Sequence, residues 1–227
     1  MTIRLCKAGL GRHSAFAYSC SRCLACCRFK TIQINPYEIA RLAGNRGVST
    51  TEFIDRFTTN GGTVLYVKQD GTCIFLDAGG CSVHADRPLV CRLYPIVRHV
   101  DFLGVEKFSL MESEKGCQGI FHENGTIEQY LEEQGAFPFM KAADRYLDLL
   151  WHLLEKLKEQ ESEPAEYDTI LNTVRAVSER GERDHDLSWI DMDRALEDYC
   201  RQSGLSVPES LEEKMKMHIK AVRAWAA

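Results

Sequence analysis

Residues 20–27 read CSRCLACC, so four cysteines stand within eight positions of the chain. Buried cysteine behaves as a small hydrophobic side chain, but a protein core does not normally concentrate it in one short segment. Four more cysteines follow at Cys73, Cys81, Cys91 and Cys117. The eight thiols predict a metal centre, and the fold must then bring distant segments of the chain together around it.

The composition is that of an ordinary globular protein, with 44% hydrophobic and 27% charged residues among 227. The sequence contains no apolar run near the ~18 residues that a membrane helix needs, and its start lacks the apolar core of a signal peptide. We therefore expect a cytoplasmic protein that does not enter a membrane. In a reducing compartment, ten cysteines indicate metal ligation or redox chemistry rather than structural disulfides.

The net charge of −5 argues against a general nucleic-acid-binding protein. The charge is unevenly distributed, because every charged residue before Glu38 is basic. Such an arm can touch nucleic acid or an acidic partner, but we favour local compensation, since thiolates around a divalent metal leave a negative centre that Arg22 and Arg28 can offset. The basic residues are Arg4, Lys7, Arg12, Arg22, Arg28 and Lys30.

Local signals in the first half predict short helices and strands. Asn35-Pro36-Tyr37-Glu38 is typical of a helix start, with a capping asparagine and proline in the first turn, and residues 49–52 repeat the pattern. A hairpin is predicted from residues 64–67 to 73–76 around Asp70-Gly71, and a short helix between Pro88 and Pro95. Further strands are predicted at residues 31–34, 97–100 and 107–111, and an irregular arm, with Cys6 as a non-ligand, at 1–19.

The second half is predicted to be helical. Residues 127–131 have helical spacing, and residues 139–158 form a longer apolar helix whose buried stripe would be Leu147, Leu150, Trp151, Leu154 and Leu157. After an acidic link at 160–166, helices are predicted at 168–178, 189–202 and 209–225, with Cys200 in the core. The predicted fold is α+β. A loop-rich cysteine-cluster domain occupies residues 1–125, and a C-terminal helical region, residues 126–227, packs on it.

The first three cysteines of the cluster, Cys20, Cys23 and Cys26, have C-x2-C-x2-C spacing. Bacterial ferredoxin-type [4Fe–4S] sites use the same spacing, with a fourth cysteine that can come from elsewhere. The usual cysteine–proline continuation is missing here. Adjacent Cys26 and Cys27 point in different directions in regular structure. One of this pair therefore serves a second site, bridges, or stays a free thiol.

Zinc accounts for the cysteines almost as well as iron does. A structural zinc ion takes four ligands, C-x2-C pairs are a common source of them, and eight cysteines would make two such sites. Spacing does not separate two zinc ions from one iron–sulfur cluster with extra ligands. The C-x2-C-x2-C run gives iron–sulfur, as [4Fe–4S], a narrow preference, and zinc stays the alternative.

Flanking residues extend the pattern beyond the cysteines. The extended pattern comprises Cys20-x-x-Cys23-x-x-Cys26-Cys27, Cys73-Ile-Phe-Leu, Cys81-Ser-Val-His84, Arg87-Pro88-x-x-Cys91-Arg92-x-Tyr94-Pro95 and Cys117-x-Gly119. The chain resembles the YkgJ-type cysteine-cluster family, whose CxxCxxCC domain is described as zinc- or iron-chelating, over about residues 20 to 120. Two positions depart from the family pattern, with His84 in place of a tyrosine and Gln118 in place of a proline. The resemblance implies eight metal ligands: Cys20, Cys23, Cys26, Cys27, Cys73, Cys81, Cys91 and Cys117.

Around the ligands, Arg87 and Arg92 are expected to neutralise thiolates and tie the loop together rather than bind a substrate. His84 is expected to be a surface or supporting side chain rather than a ligand. A related cysteine motif in flagellin lysine N-methylases implies methyl transfer from S-adenosylmethionine as a minor alternative. Against it, the chain lacks a glycine-rich Rossmann loop and the C-x3-C-x2-C spacing of radical enzymes that use this cofactor.

Two hypotheses of different classes follow. The first is a redox or catalytic protein that uses an iron–sulfur centre, with a protein or peptide as its partner or substrate. The second is a non-catalytic module whose zinc sites hold a loop-rich fold together and present the helical half to a partner. The sequence does not decide between enzyme and module, and it leaves the oligomeric state open.

Overall fold

The fold is that of a computed structural model, which describes residues 5–101, 103–160 and 189–225. Helices and short antiparallel strands both occur in these residues, and helices follow the cysteine region, so the predicted α+β class is confirmed. The predicted link at 160–166 and helix at 168–178 lie almost wholly outside the described residues. No helix in the described ranges has the length and apolar character to span a membrane.

The helices are α1 Pro36–Arg46, α2 Thr50–Phe57, α3 Leu89–Leu93, α4 Ile127–Glu133, α5 Phe137–Gln160, α6 Met192–Ser203 and α7 Leu211–Trp225. The strands are β1 Leu5–Leu10, β2 Ala15–Ser19, β3 Thr58–Thr59, β4 Val64–Leu65, β5 Leu76–Asp77, β6 Gly80–Cys81, β7 Ile96–Val100, β8 Glu106–Met111 and β9 Ile120–Thr126. Two short 3-10 turns, Ala25–Cys27 and His84–Asp86, complete the described elements.

The chain divides into two compact units. The first unit comprises Met1–Ile32 and Val67–Met140, and the second comprises Gln33–Tyr66 and Lys141–Ala227. Each unit is therefore built from two separate segments of the sequence. The division into a cysteine-cluster domain at 1–125 and a helical region at 126–227 stays a prediction.

In the first unit, the beginning of the chain pairs with a segment about a hundred residues later. Strand β8 lies between β1 and β7 in an antiparallel sheet, and β2 pairs with β9 in a separate two-stranded sheet. Apolar side chains of β1, β2, β7, β8, α3, α4 and the start of α5 bury one another in a single core. Its members are Leu10, Phe16, Tyr18, Leu93, Ile96, Phe108, Ile127, Tyr130, Leu131, Ala136 and Met140.

Three local predictions for the first 80 residues are wrong or only partly confirmed. The described part of the predicted irregular arm at 1–19 is not irregular, because residues 5–10 and 15–19 form strands. The predicted hairpin around Asp70-Gly71 is reduced to one bridge between Val67 and Cys73. Residues 73–76 instead lead into the β5–β6 pair. Residues 31–34 form one bridge, at Gln33, rather than a strand.

The second unit is organised by well-capped helices, as their sequences predict. Asn35 and Glu38 form the reciprocal capping box at the start of α1. Gly47 ends that helix with a left-handed φ of 67°, a conformation that glycine adopts without steric penalty. Ser49 accepts a hydrogen bond from the backbone N–H of Glu52 and begins α2. Cys200 is buried on α6, as predicted.

The buried face of α5 differs from the predicted stripe. Tyr146 and Leu149 are buried, whereas Leu147 and Trp151 are 42% and 46% exposed. The side chains of Leu154 and Leu157 lie outside the described part of the structure. Apolar residues stand on both sides of the true buried face, so their spacing alone selects the wrong one.

Two helices of the second unit are joined at their first turns by a network of short hydrogen bonds. Thr50 Oγ1 donates to Asp191 Oδ1 at 2.5 Å, and Thr51 Oγ1 donates to Asp191 Oδ2 at 2.6 Å. Asp191 Oδ1 also accepts from the N–H of Arg194, which caps α6. In return, the Thr50 N–H donates to Asp193 Oδ2 at 2.8 Å. Asp191 and Thr50 are both buried, so each depends on the other for its hydrogen bonds.

His218 is a buried titratable group in the core of the second unit. Its side chain is fully buried on α7, and its Nδ1 lies 2.9 Å from the hydroxyl oxygen of Tyr146. Burial lowers the pKa of His218 to about 4, because the charged imidazolium loses its hydration there. The folded protein therefore keeps this histidine neutral at pH values where an unfolded chain would protonate it.

We predict that the second unit loses stability as the pH falls from about 6.5 towards 4. The unfolded state, with a histidine pKa near 6.5, takes up a proton in this window, whereas the folded state does not. Between pH 7.5 and 5 the loss from His218 is about 2 kcal/mol. Urea unfolding of wild type and His218→Asn at both pH values measures it. Equal pH dependence in the two proteins would contradict the assignment.

Candidate metal centre

The cysteine loop follows β2 and is held in an unusual backbone conformation. Arg22 and Leu24 adopt left-handed φ values of 55° and 66°, and the 3-10 turn Ala25–Cys27 follows immediately. Each such residue costs roughly 1–2 kcal/mol when it is not glycine. The conformation places a backbone amide on a sulfur, since the N–H of Arg22 lies 3.4 Å from Cys20 Sγ. The strained backbone of this loop therefore helps to set where the cysteine sulfurs lie.

Cys23 receives hydrogen bonds from two separate segments. The backbone N–H of Ala25, within the same loop, donates to its sulfur, and the N–H of Gln118 donates from 3.4 Å. These amides lower the pKa of Cys23 to about 7, because they stabilise the thiolate. The hydrogen bond from Gln118 connects the first cysteine segment to the last one.

Cys117 lies beside two tyrosines of the first unit. The Tyr18 hydroxyl oxygen is 3.2 Å from Cys117 Sγ, and the Tyr94 hydroxyl is also within hydrogen-bonding reach of this sulfur. The Tyr94 oxygen accepts a hydrogen bond from the N–H of Glu114 at 3.0 Å. Burial raises the pKa of both tyrosines, so their hydroxyls keep their protons at neutral pH.

The adjacent pair Cys26 and Cys27 lies in the 3-10 turn. The Cys27 thiol, acting as a hydrogen-bond partner, raises the pKa of Cys26, and burial raises it further. Cys23 contributes to the same shift through its charge. The two adjacent thiols therefore lie close to each other, and Cys26 also interacts electrostatically with Cys23.

The middle cysteines approach the loop from a different segment. The N–H of Cys73 donates to the carbonyl of Cys27 at 3.0 Å, which joins the backbones of the two segments. Burial raises the pKa of Cys73, and the nearby charge of Cys81 adds to the shift. Cys81 ends β6, where it pairs with Leu76. Cys91 is exposed on α3.

All eight predicted ligands thus belong to the first unit, and two groups emerge from their contacts. Cys23, Cys26 and Cys117 form one group, and Cys73 and Cys81 form the other. Cys27 contacts both, since its thiol lies beside Cys26 and its carbonyl accepts from the N–H of Cys73. All ten cysteines of the chain are free thiols. Within the described residues, no three His, Cys, Asp or Glu side chains are grouped so as to hold a metal ion. The ligand set therefore stays a prediction.

Arg92 ties the loop around α3, as predicted. Its buried guanidinium donates to the carbonyl oxygens of Arg87 at 3.0 Å, Gln134 at 2.7 Å and Ala85 at 2.5 Å. The same group lies 4.0 Å from the centre of the Phe139 ring. One side chain therefore fixes two backbone segments of the first unit, residues 85–87 and the end of α4 at Gln134.

Arg87 and the basic arm also make contacts within the first unit. Arg87 donates to the carbonyl of His84 at 2.7 Å and to the side chain of Gln134. Arg12 forms an ion pair with Glu106 at 2.6 Å, and Lys30 forms one with Glu114. At least these two basic residues are compensated by carboxylates, and the compensation of thiolates stays a prediction.

Sequence reasoning missed Tyr18 and the role of Gly119. A Cβ atom at Gly119 would lie 1.9 Å from the Tyr18 hydroxyl oxygen, so only glycine leaves room for this side chain. The motif Cys117-x-Gly119 contains the glycine, but its reason lies in Tyr18, about a hundred residues earlier. Alternation in residues 15–19 was the available signal, since Phe16 and Tyr18 are buried between smaller or more exposed neighbours.

The cysteine segment is similar to a known protein family. The family model CxxCxxCC, described as "Putative zinc- or iron-chelating domain", matches residues 19–118. An uncharacterized protein of Methanocaldococcus jannaschii is 33% identical over 86 residues. That match covers 36% of this chain and 46% of the relative, so it spans about half of the relative's length. No solved structure gives a significant match. Residues 19–118 therefore match the CxxCxxCC family model, in agreement with the YkgJ-type resemblance of the motifs.

Proposed function

We propose that the CxxCxxCC domain holds a cysteine-ligated [4Fe–4S] centre used in redox chemistry or in the modification of a protein or peptide. The observation that carries the proposal is the set of backbone N–H groups directed at the first two cysteine sulfurs. Arg22 donates to Cys20, and Ala25 and Gln118 donate to Cys23. Metal ligands must be thiolates, and amide donors stabilise a thiolate before and after a metal binds.

Cys117 is the proposed fourth ligand beside Cys20, Cys23 and Cys26. The sulfurs of Cys23 and Cys117 are hydrogen-bond partners, and the Gln118 amide next to Cys117 donates to Cys23. The first three cysteines have the spacing of ferredoxin-type sites, whose remaining ligand can come from another segment. When bound, such a cluster supplies one-electron transfer or an iron site that polarises a ligand. The chain holds the thiolates, and Tyr18 and Tyr94 donate to one of them.

Cys27, Cys73, Cys81 and Cys91 are left for a second role. Three of them are connected by contacts. The N–H of Cys73 donates to the carbonyl of Cys27, and the charge of Cys81 acts on the Cys73 thiol. This partition into four and four favours two zinc ions as the alternative, in a structural or interaction module without catalysis. Lysine methyl transfer stays the minor alternative. Ten free thiols support a cytoplasmic location for either form.

Metal analysis of the full chain, purified without oxygen, tests the proposal. We expect about four iron and about four sulfide ions per chain and a brown colour with absorbance at about 400 nm that oxygen bleaches. Cys23→Ser is expected to lose most of the iron, whereas Cys6→Ser, an exposed cysteine of β1, is expected to retain it. A colourless protein with about two zinc ions would instead support the zinc module. Unchanged metal content and melting in Cys23→Ser would show that the ligand assignment is wrong.

A further inference from the structure

Tyr18 places a hydroxyl group directly against one of the proposed ligands. Its oxygen lies 3.2 Å from Cys117 Sγ, and the residue is only 6% exposed. A thiolate bound to a metal has no proton to give, so in the loaded protein the tyrosine hydroxyl has to be the donor. Hydrogen bonds to charged acceptors are the stronger kind, so this contact is chemically significant.

The ring of Tyr18 is held in place from several sides. Tyr18 pairs with Phe121 across the β2–β9 sheet, and their ring centres are 5.0 Å apart. The Tyr94 ring meets it edge-on at 6.1 Å. The N–H of Glu114 fixes the Tyr94 oxygen. The hydroxyl therefore reaches the sulfur from a side chain whose rotamer is set by packing.

Gly119 provides independent evidence that the site is built for this hydroxyl. A Cβ there would lie 1.9 Å from the Tyr18 oxygen and 2.3 Å from the ring carbon that carries it. No left-handed φ requires glycine at this position. The absence of a side chain at 119 thus gives the tyrosine its path to Cys117.

We infer that Tyr18 is a positioning residue of the metal centre, whose hydroxyl orients Cys117 and withdraws charge from its sulfur through a hydrogen bond. The inference rests on the proposed function, since it requires Cys117 to be a ligand. Partners that hydrogen-bond to metal ligands fix ligand orientation, and removing one typically weakens metal affinity ~10–100-fold. In iron–sulfur proteins, hydrogen bonds to sulfur also set the reduction potential.

The test compares wild type with Tyr18→Phe as full chains loaded with their metal under anaerobic conditions. We expect metal affinity, measured by competition with a chelator, to fall ~10–100-fold in Tyr18→Phe. The reduction potential from a potentiometric titration is expected to become more negative, because the sulfur keeps more charge. Tyr146→Phe is the matched control. It removes a buried tyrosine hydroxyl whose partner is His218, and it should leave metal affinity and potential as in wild type.

Gly119→Ala gives a second, independent measurement that keeps every polar group. It should displace the Tyr18 hydroxyl and weaken metal affinity in the same direction, whereas Gly11→Ala, where a Cβ meets nothing within 4 Å, should not. If Tyr18→Phe does not fold, Gly119→Ala alone tests whether the Tyr18 hydroxyl positions Cys117. Wild-type affinity and potential in Tyr18→Phe, or in Gly119→Ala, would overturn the inference and leave the proposed function intact. A wild-type chain that binds no metal would overturn both.

Discussion

Replacing Arg92 by methionine is expected to lower the free energy of unfolding of the first unit by about 4 kcal/mol. The guanidinium donates to three backbone carbonyl groups, of Ala85, Arg87 and Gln134, and packs on the Phe139 ring. Methionine fills a similar volume but donates no hydrogen bond. The carbonyl oxygens that lose their donor then carry a desolvation penalty of about 1–3 kcal/mol each, which water entry reduces.

The measurement is urea unfolding of the metal-free full chain, followed by circular dichroism. Lys107→Met is the matched control, because it removes an exposed cation of β8 in the same unit and should change stability by less than about 0.5 kcal/mol. Arg92→Lys should recover only part of the loss, since an ammonium group cannot reproduce the planar fork of donors. An ordinary substitution costs about 1 kcal/mol. A loss in Arg92→Met no larger than this would contradict the role of Arg92.

Asp191→Ala is expected to destabilise the second unit by about 3 kcal/mol. The substitution removes the acceptor for the hydroxyls of Thr50 and Thr51 and the cap of α6 at the same time. Thr50 is 2% exposed, so water cannot readily replace its lost acceptor. The effect is large because one carboxylate serves the first turns of both α2 and α6.

Asp198→Ala provides the comparison for Asp191→Ala. Asp198 lies on α6 and pairs with Arg201, whose side chain is 73% exposed, so its loss should change stability by less than about 1 kcal/mol. Thermal and urea unfolding of the two variants measure the difference. If both aspartates proved equally dispensable, the network between α2 and α6 would not be a major source of stability.

The elements that could be predicted from the sequence are those whose signals are local. Asn35 and Glu38 cap α1 within four residues of each other, and Ser49 does the same for α2. Proline brackets limit α3 to one short helix. In each case the groups that satisfy the backbone are neighbours in the chain, so the sequence pattern contains the whole interaction.

Strand β1, at the beginning of the chain, could not be predicted in this way. Strand β1 is exposed along nearly all its length and lacks the alternation of a half-buried strand. Its hydrogen-bond partners are in β8, about a hundred residues later. Tyr18 was missed for the same reason, because its role depends on Cys117 and Gly119, which are also far from it in the sequence. The cysteines themselves were recognised because their identity and spacing reveal their chemistry without knowledge of the fold.

The two-segment construction of the first unit sets an order of events during synthesis. Residues 20–27 leave the ribosome long before β8, β9 and Cys117, with which this part of the first unit pairs or bonds. Chains with such distant pairings fold slowly, because a large loop must close before the contacts form. The nascent protein therefore carries a cluster of unprotected thiols for the time it takes to translate the intervening ninety or so residues. A metal can therefore bind its full set of cysteines only after Cys117 has been translated. Until then the free thiols of residues 20–27 are open to oxidation.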